Sequence, residues 1–208
     1  MSNKRSLRAS RASAALWLSV SLAVGGASAA PAPRAHDGPF GIAMGEPLDQ
    51  LITEKTSQAG RYVVTHHVAL PSGIASLAVD AFPSTGVCLI RGTSLVATDD
   101  QAGAVLRRKI DEFAELLKAK YGPYVKTDNC DGLSEECTYL WVQRLNLGKA
   151  NYNYDFDLSN AGRADKIGYI EVGADAVDAI TSYLYVEYYN VDKDGCDAAR
   201  KTAASAGL

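Results

Sequence analysis

The chain predicts an α+β fold, with an antiparallel sheet of about five to seven strands and two or three helices packed on it. Three observations carry this expectation. Runs rich in β-branched and aromatic residues follow one another across short turns between residues 62 and 90. Apolar residues then recur at three- and four-residue spacing over 106–121, the period of a helix with one buried face. Further on, residues 151–158 alternate strictly between apolar and polar, the period of a strand with one buried face. Strands joined by tight turns and separated from the helices indicate an antiparallel sheet carrying helices, not a parallel βαβ array.

Taken in order, Phe40-Gly41-Ile42 reads as a short extended entry. Pro47 suits the first turn of a helix, with Leu48, Leu51 and Ile52 as its apolar stripe and Gly60 as its stop. Residues 62–70, 74–82 and 87–90 predict three strands, separated by the turns Pro71-Ser72-Gly73 and Pro83-Ser84-Thr85-Gly86. The second helix opens on a capping box, Thr98 with Gln101, and Asp99 and Asp100 complement its dipole. Leu106, Ile110, Phe113, Leu117 and Tyr121 form its core face. Arg107, Arg108, Asp111, Glu112, Glu115 and Lys118 form its solvated one, and Gly122-Pro123 ends it. Residues 139–147 fit either a strand or a short helix closed by Gly148. Residues 151–158, 167–173 and 182–190 complete the sheet.

The first 29 residues carry the marks of an export signal. Lys4, Arg5, Arg8 and Arg11 precede an apolar run over 14–24, and Ala27-Ser28-Ala29 supplies the small-x-small pattern before cleavage. Pro31 obstructs cleavage directly before it, so Ala29–Ala30 is the expected scissile bond. The run is shorter than the roughly 20 residues a membrane span needs, and no cysteine follows it to take a lipid. Residues 30–39, with three prolines, read as a flexible lead-in, and 40–208 as a single domain. The expected location is therefore the periplasm or the exterior of the cell. Without the signal the chain holds 17 basic and 24 acidic side chains, a net charge of −7. That balance argues against a nucleic-acid or anionic-membrane partner, since both require a basic face.

All four cysteines lie beyond the signal, and an even count in an exported chain predicts disulfides. Of three possible pairings, Cys130 with Cys137 closes a small turn-rich loop, which leaves Cys88 for Cys196. The absence of any CxxC pair weighs against a metal site. His66 and His67 are adjacent, so in a strand their rings diverge and cannot chelate one ion. The stretch Asn190-Val191-Asp192-Lys193-Asp194-Gly195 matches the start of a calcium loop, but Lys201 occupies the position of the bidentate glutamate. No GxSxG, HExxH or GxxxxGK[ST] pattern occurs, and no cofactor is expected.

Tyrosine is the remaining distinctive feature, with eleven residues, several at alternate positions in the late strands. Tyr152 and Tyr154 share one strand face, as do Tyr183 and Tyr185, while Leu184, Val186 and Tyr188 take the opposite one. Aromatic pairing within the sheet is the simpler account. The functional one is a contact surface of Tyr152, Tyr154, Tyr183 and Tyr185, because tyrosine gives contact area at little entropic cost.

Phe40-Gly41, Met44-Gly45, Leu48-x-x-Leu51, Gly86-Val87-Cys88-Leu89-Ile90, Leu117-x-x-Lys120-Tyr121-Gly122 and Tyr188-Tyr189-Asn190 before Cys196 stand in an order that resembles a group of small exported bacterial proteins. The opening glycine followed by a helix is also similar to the start of the repeats in β-lactamase-inhibitor proteins and outer-membrane assembly lipoproteins. The resemblance implies the fold more than any activity and supplies no catalytic residue. The sequence reading is thus a non-enzymatic exported binding protein, inhibitor-like or immunity-like, whose partner is an envelope or secreted protein. Its rivals are an envelope hydrolase using Glu171, Asp155 or Asp157, and a structural part of the envelope machinery.

Overall fold

The computed structural model describes residues 38–65, 70–97, 100–130, 137 and 139–206. Eight strands form one antiparallel sheet: β1 (Thr53–Lys55), β2 (Arg61–Val64), β3 (Ser76–Phe82), β4 (Gly86–Thr93), β5 (Val125–Asp128), β6 (Tyr152–Asp157), β7 (Ile167–Ala176) and β8 (Ser182–Asn190). Their spatial order is β1-β2-β3-β4-β8-β7-β6-β5. Two meanders, one from each half of the chain, therefore meet along the β4–β8 seam, where Ile90 faces Tyr188 and Arg91 faces Glu187. The sheet has one strand more than the upper end of the range expected from sequence. The two unanticipated strands, β1 and β5, are its edges, short and polar enough to show no alternation.

Three α-helices flank the sheet among the described residues: α1 (Ala104–Tyr121), α2 (Trp141–Asn146) and α3 (Lys193–Ala206). Helices α1 and α2 cover one face. Leu106, Ile110, Ala114, Leu117 and Tyr121 of α1 enter the main core with Phe156, Ile170, Val172, Leu184, Val186 and Tyr188. The five positions expected for the α1 core face thus point inward, Phe113 only partly, and Ala114 completes the stripe. The ambiguous segment resolves as the helix α2, whose Trp141 is fully buried.

The start of α1 differs from the capping box expected. Thr98 and Asp99 lie outside the described residues, and it is the Asp100 carboxylate that accepts the N–H groups of Ala104, Val105 and Leu106 at 2.8–2.9 Å. One side chain there satisfies three of the four orphan donors of the first turn. Gly103 precedes the helix at φ 67°, and a Cβ at that position would stand 2.0 Å from the Trp141 ring. The glycine permits both the left-handed turn and the close approach of α2.

The helix expected to start at Pro47 and stop at Gly60 is instead a single 3-10 turn, Leu48–Gln50, followed by the strand β1. Backbone pairing outcompetes the short apolar stripe. Gly45 donates to the Val87 carbonyl, Val87 donates to that of Glu46, and Thr65 donates to that of Ile52. These bonds draw the chain extended into β1, and Ile52 is left 59% exposed.

Helix α3 packs on the opposite sheet face and was not anticipated, because its buried stripe is Cys196, Ala199 and Ala203, small residues with a weak hydrophobic signature. The stretch compared with a calcium loop is its entry: Asp192 accepts the Gly195 N–H at 3.0 Å, and the Asn190 side chain accepts that of Asp192 at 2.9 Å. Cys88–Cys196 and Cys130–Cys137 are both bridged as the spacing predicts. The first bridge fastens α3 to β4; the pair of them fits a chain that folds in an oxidising compartment. No described helix is long and apolar enough to cross a membrane.

Candidate functional site

Helix α3 packs against β3 and β8, and among the described residues no other helix packs on the second face of β6, β7 and β8. Period-two alternation places a defined set of side chains there. Asp155, Glu171 and Glu187 form one row across β6, β7 and β8. Asp157, Tyr169 and Tyr189 form the row on one side of it, and Asn153, Gly173 and Tyr185 the row on the other. Asp175 and Tyr183 face each other one step further on. Arg91, opposite Glu187 on β4, brings a cation to this face, and Arg61 of β2, paired with Asp80 of β3, adds a more distant one.

These side chains pair in a repeating manner. Tyr183 donates its hydroxyl to Asp175 at 2.9 Å, Tyr185 donates to Glu171, Tyr189 to Glu187 and Tyr169 to Asp155. The Asn153 amide also donates to both Asp155 oxygens, at 3.0 and 2.9 Å. Arg91 Nε lies 3.2 Å from Glu187 Oε1 without hydrogen-bond geometry, and its guanidinium sits 5.0 Å from the centre of the Tyr185 ring. Tyr185 lies across Gly173, its register partner, where a Cβ would meet the phenol oxygen at 2.8 Å. The bare glycine lets the ring cross β7 to reach Glu171.

Burial, reinforced by the neighbouring carboxylates, raises the pKa values of Tyr169, Tyr185 and Tyr189 well above that of a free phenol. All three stay protonated and act as donors. Burial also raises the Glu171 carboxyl; the Tyr185 hydroxyl opposes this, while the negative charges of Glu187 and Asp155 add to it. Five carboxylates, Asp155, Asp157, Asp175, Glu171 and Glu187, outnumber the two guanidiniums that act on the face, Arg91 and the more distant Arg61, and leave it with a net negative charge. Since each of the four phenols already donates, the hydrogen-bonding capacity left over is mostly acceptor.

The four tyrosines named from the sequence are divided between the two faces. Tyr183 and Tyr185 lie on the open face, Tyr183 half-buried and Tyr185 9% exposed. Tyr152 and Tyr154 enter the core beneath α1, at 3% and 4% exposure. There both hydroxyls donate to Asp111 of α1, and Lys126 Nζ donates to Tyr152 at 2.7 Å. Their role is to join the end strands to the helix. Tyr169, Tyr189, Asp175, Glu187 and Arg91 were missed: alternation through 182–190 puts Glu187 and Tyr189 on the face of Tyr183, and alternation through 167–176 puts Tyr169 and Asp175 on the face of Glu171, but only the register of β7 with β8 joins the two sets. The proposed hydrolase carboxylates Asp155, Glu171 and Asp157 do share this face. His36, His66 and His67 lie outside the described residues. Among those described, no cluster of His, Cys, Asp or Glu is arranged to hold a metal ion.

Comparison with protein-family models, with curated proteins and with solved structures finds no match to the chain.

Proposed function

We propose that the chain is an exported, non-enzymatic binding protein of the bacterial envelope, inhibitor-like or immunity-like, that engages a basic patch of an envelope or secreted protein through its open sheet face. The observation that carries this reading is the ladder of four tyrosine–carboxylate pairs with one intervening arginine. Such a face is rigid, because each ring is tied down, and it is poor in free donors. Lysine and arginine side chains supply donors and positive charge, and they stack well on tyrosine faces. Arg91 over Tyr185 is an internal example of that contact. The two disulfides support an extracytoplasmic setting.

A second reading, a carboxylate-dependent hydrolase, has one specific observation behind it. Glu171, whose burial favours the protonated acid, faces Asp155 across β6 and β7. A carboxyl group kept protonated by burial beside a second carboxyl is an arrangement that acid–base hydrolysis uses. Both, however, are already engaged by tyrosine hydroxyls.

Affinity capture from an envelope extract separates the two. Asp175 is half-exposed at the end of the ladder, so Asp175→Lys reverses a charge on the face without opening the core. The wild-type chain should retain a partner that Asp175→Lys and high salt both release. Retention indifferent to both would contradict the binding reading. Substrate turnover that is lost in Glu171→Gln would establish the alternative.

A further inference from the structure

A cleft of about 560 Å³ lies where α3 meets the ends of β7 and β8, at the end of the ladder, two of whose tyrosines line it. Tyr169 and Tyr189 form its aromatic floor, packed edge to face with centroids 5.5 Å apart. Their hydroxyls are committed to Asp155 and Glu187, so the rings alone are available to the cleft.

The charged lining is balanced, Asp157 and Asp197 against Lys193 and Arg200. Asp197 and Arg200 are spent on each other at 2.9 Å, and Arg200 also lies 3.7 Å from Asp80. The other two retain free capacity. Asp157 Oδ1 accepts from the Ser159 N–H and hydroxyl at 3.0 and 2.7 Å, while no described group donates to Oδ2. Those bonds hold the carboxylate below its ordinary pKa and so ionised. Lys193 is exposed and makes no ion pair with a described residue. An aromatic floor is thus flanked by one free acceptor and one free donor, with no net charge.

We infer that this cleft is a saccharide-binding site, with the carbon–hydrogen face of a sugar ring on Tyr169 and Tyr189 and its hydroxyls bridging Asp157 and Lys193. A hydroxyl both donates and accepts, so one polyol satisfies both groups, and the volume is within the range of small-ligand sites. A zwitterionic dipeptide would depend on two ion pairs in open water, which are weak and screened by salt.

The test is a titration of the isotope-labelled full mature protein with chitobiose, maltose and cellobiose, and separately with alanyl-alanine, followed by amide chemical shifts. At least one disaccharide should give saturable shifts confined to Ser159, Gly168, Tyr189, Val191 and Lys193, little altered by salt. Asp157→Ala and Lys193→Ala, both surface changes, should each weaken that binding about tenfold, and Tyr169→Phe should retain it. The inference is overturned by no saturable shift with any of the three sugars, by binding of alanyl-alanine instead, or by sugar binding that survives both alanine variants. Lys193 lies on α3 and outside the open face, so partner capture by Lys193→Ala reports separately on the proposed function.

Discussion

At the scale of single residues, the open face depends on what glycine omits. Gly173→Ala would press a methyl carbon against Tyr185, displacing the ring from Glu171. Overpacking of this kind costs about 1–3 kcal/mol, and chemical denaturation should register it together with a change in tyrosine fluorescence. Glu171 itself carries a pH signature. Its folded pKa is raised, so its contribution to stability is fully present below the pKa of an unfolded glutamate, about 4.3, and is lost as pH rises through the folded value. Glu171→Gln removes that penalty. The variant should melt above the parent at neutral pH, with the gap closing as pH falls toward 4; an unchanged gap across this range would show that the carboxyl is not desolvated. Asp100→Ala, on the other face, strips three backbone N–H groups of their acceptor and should cost about 1 kcal/mol, up to 2.

The two disulfides differ at the scale of elements. Cys88–Cys196 closes a separation of 108 residues and Cys130–Cys137 one of 7. In the chain-entropy model these contribute about 4–5 and about 2–3 kcal/mol respectively. Replacing Cys88 and Cys196 by serine should therefore lower the unfolding free energy by the larger amount and release α3, since its other buried anchors are alanines. Far-ultraviolet dichroism with denaturant titration would check both effects. The same contrast explains which elements the sequence reveals. Helix α1 is legible because Leu106, Ile110, Leu117 and Tyr121 are large and regularly spaced. Helix α3 buries the same stripe geometry with Cys and Ala, which carry little hydrophobic weight. The edge strands β1 and β5 bury too little to show a period. Around Pro47 a helical pattern was present, but backbone bonds to Val87 and the pairing of β1 with β2 prevailed.

For the whole molecule, the sheet separates two chemistries. One face, under α1 and α2, is an apolar core tied at its margin by Asp111 and Lys126 to Tyr152 and Tyr154. The other is a polar aromatic ladder enriched in acceptors. Half of this arrangement was readable from alternation, which separates Tyr183 and Tyr185 from Leu184, Val186 and Tyr188. The other half was not, because alternation within a strand does not say which of its faces joins which face of another strand. Only the register of β6 against β7 and β8 sends Tyr152 and Tyr154 inward and brings Asp155 beside Glu171.

The claim that the open face is the binding surface is tested most directly by titrating isotope-labelled protein with a short arginine- and lysine-rich peptide at two salt concentrations. The account predicts amide shifts confined to β4, β6, β7 and β8, centred on Asp175, Tyr183 and Glu187, and weakened by salt. Shifts centred on the outer face of α1, or spread evenly over the molecule, would contradict it.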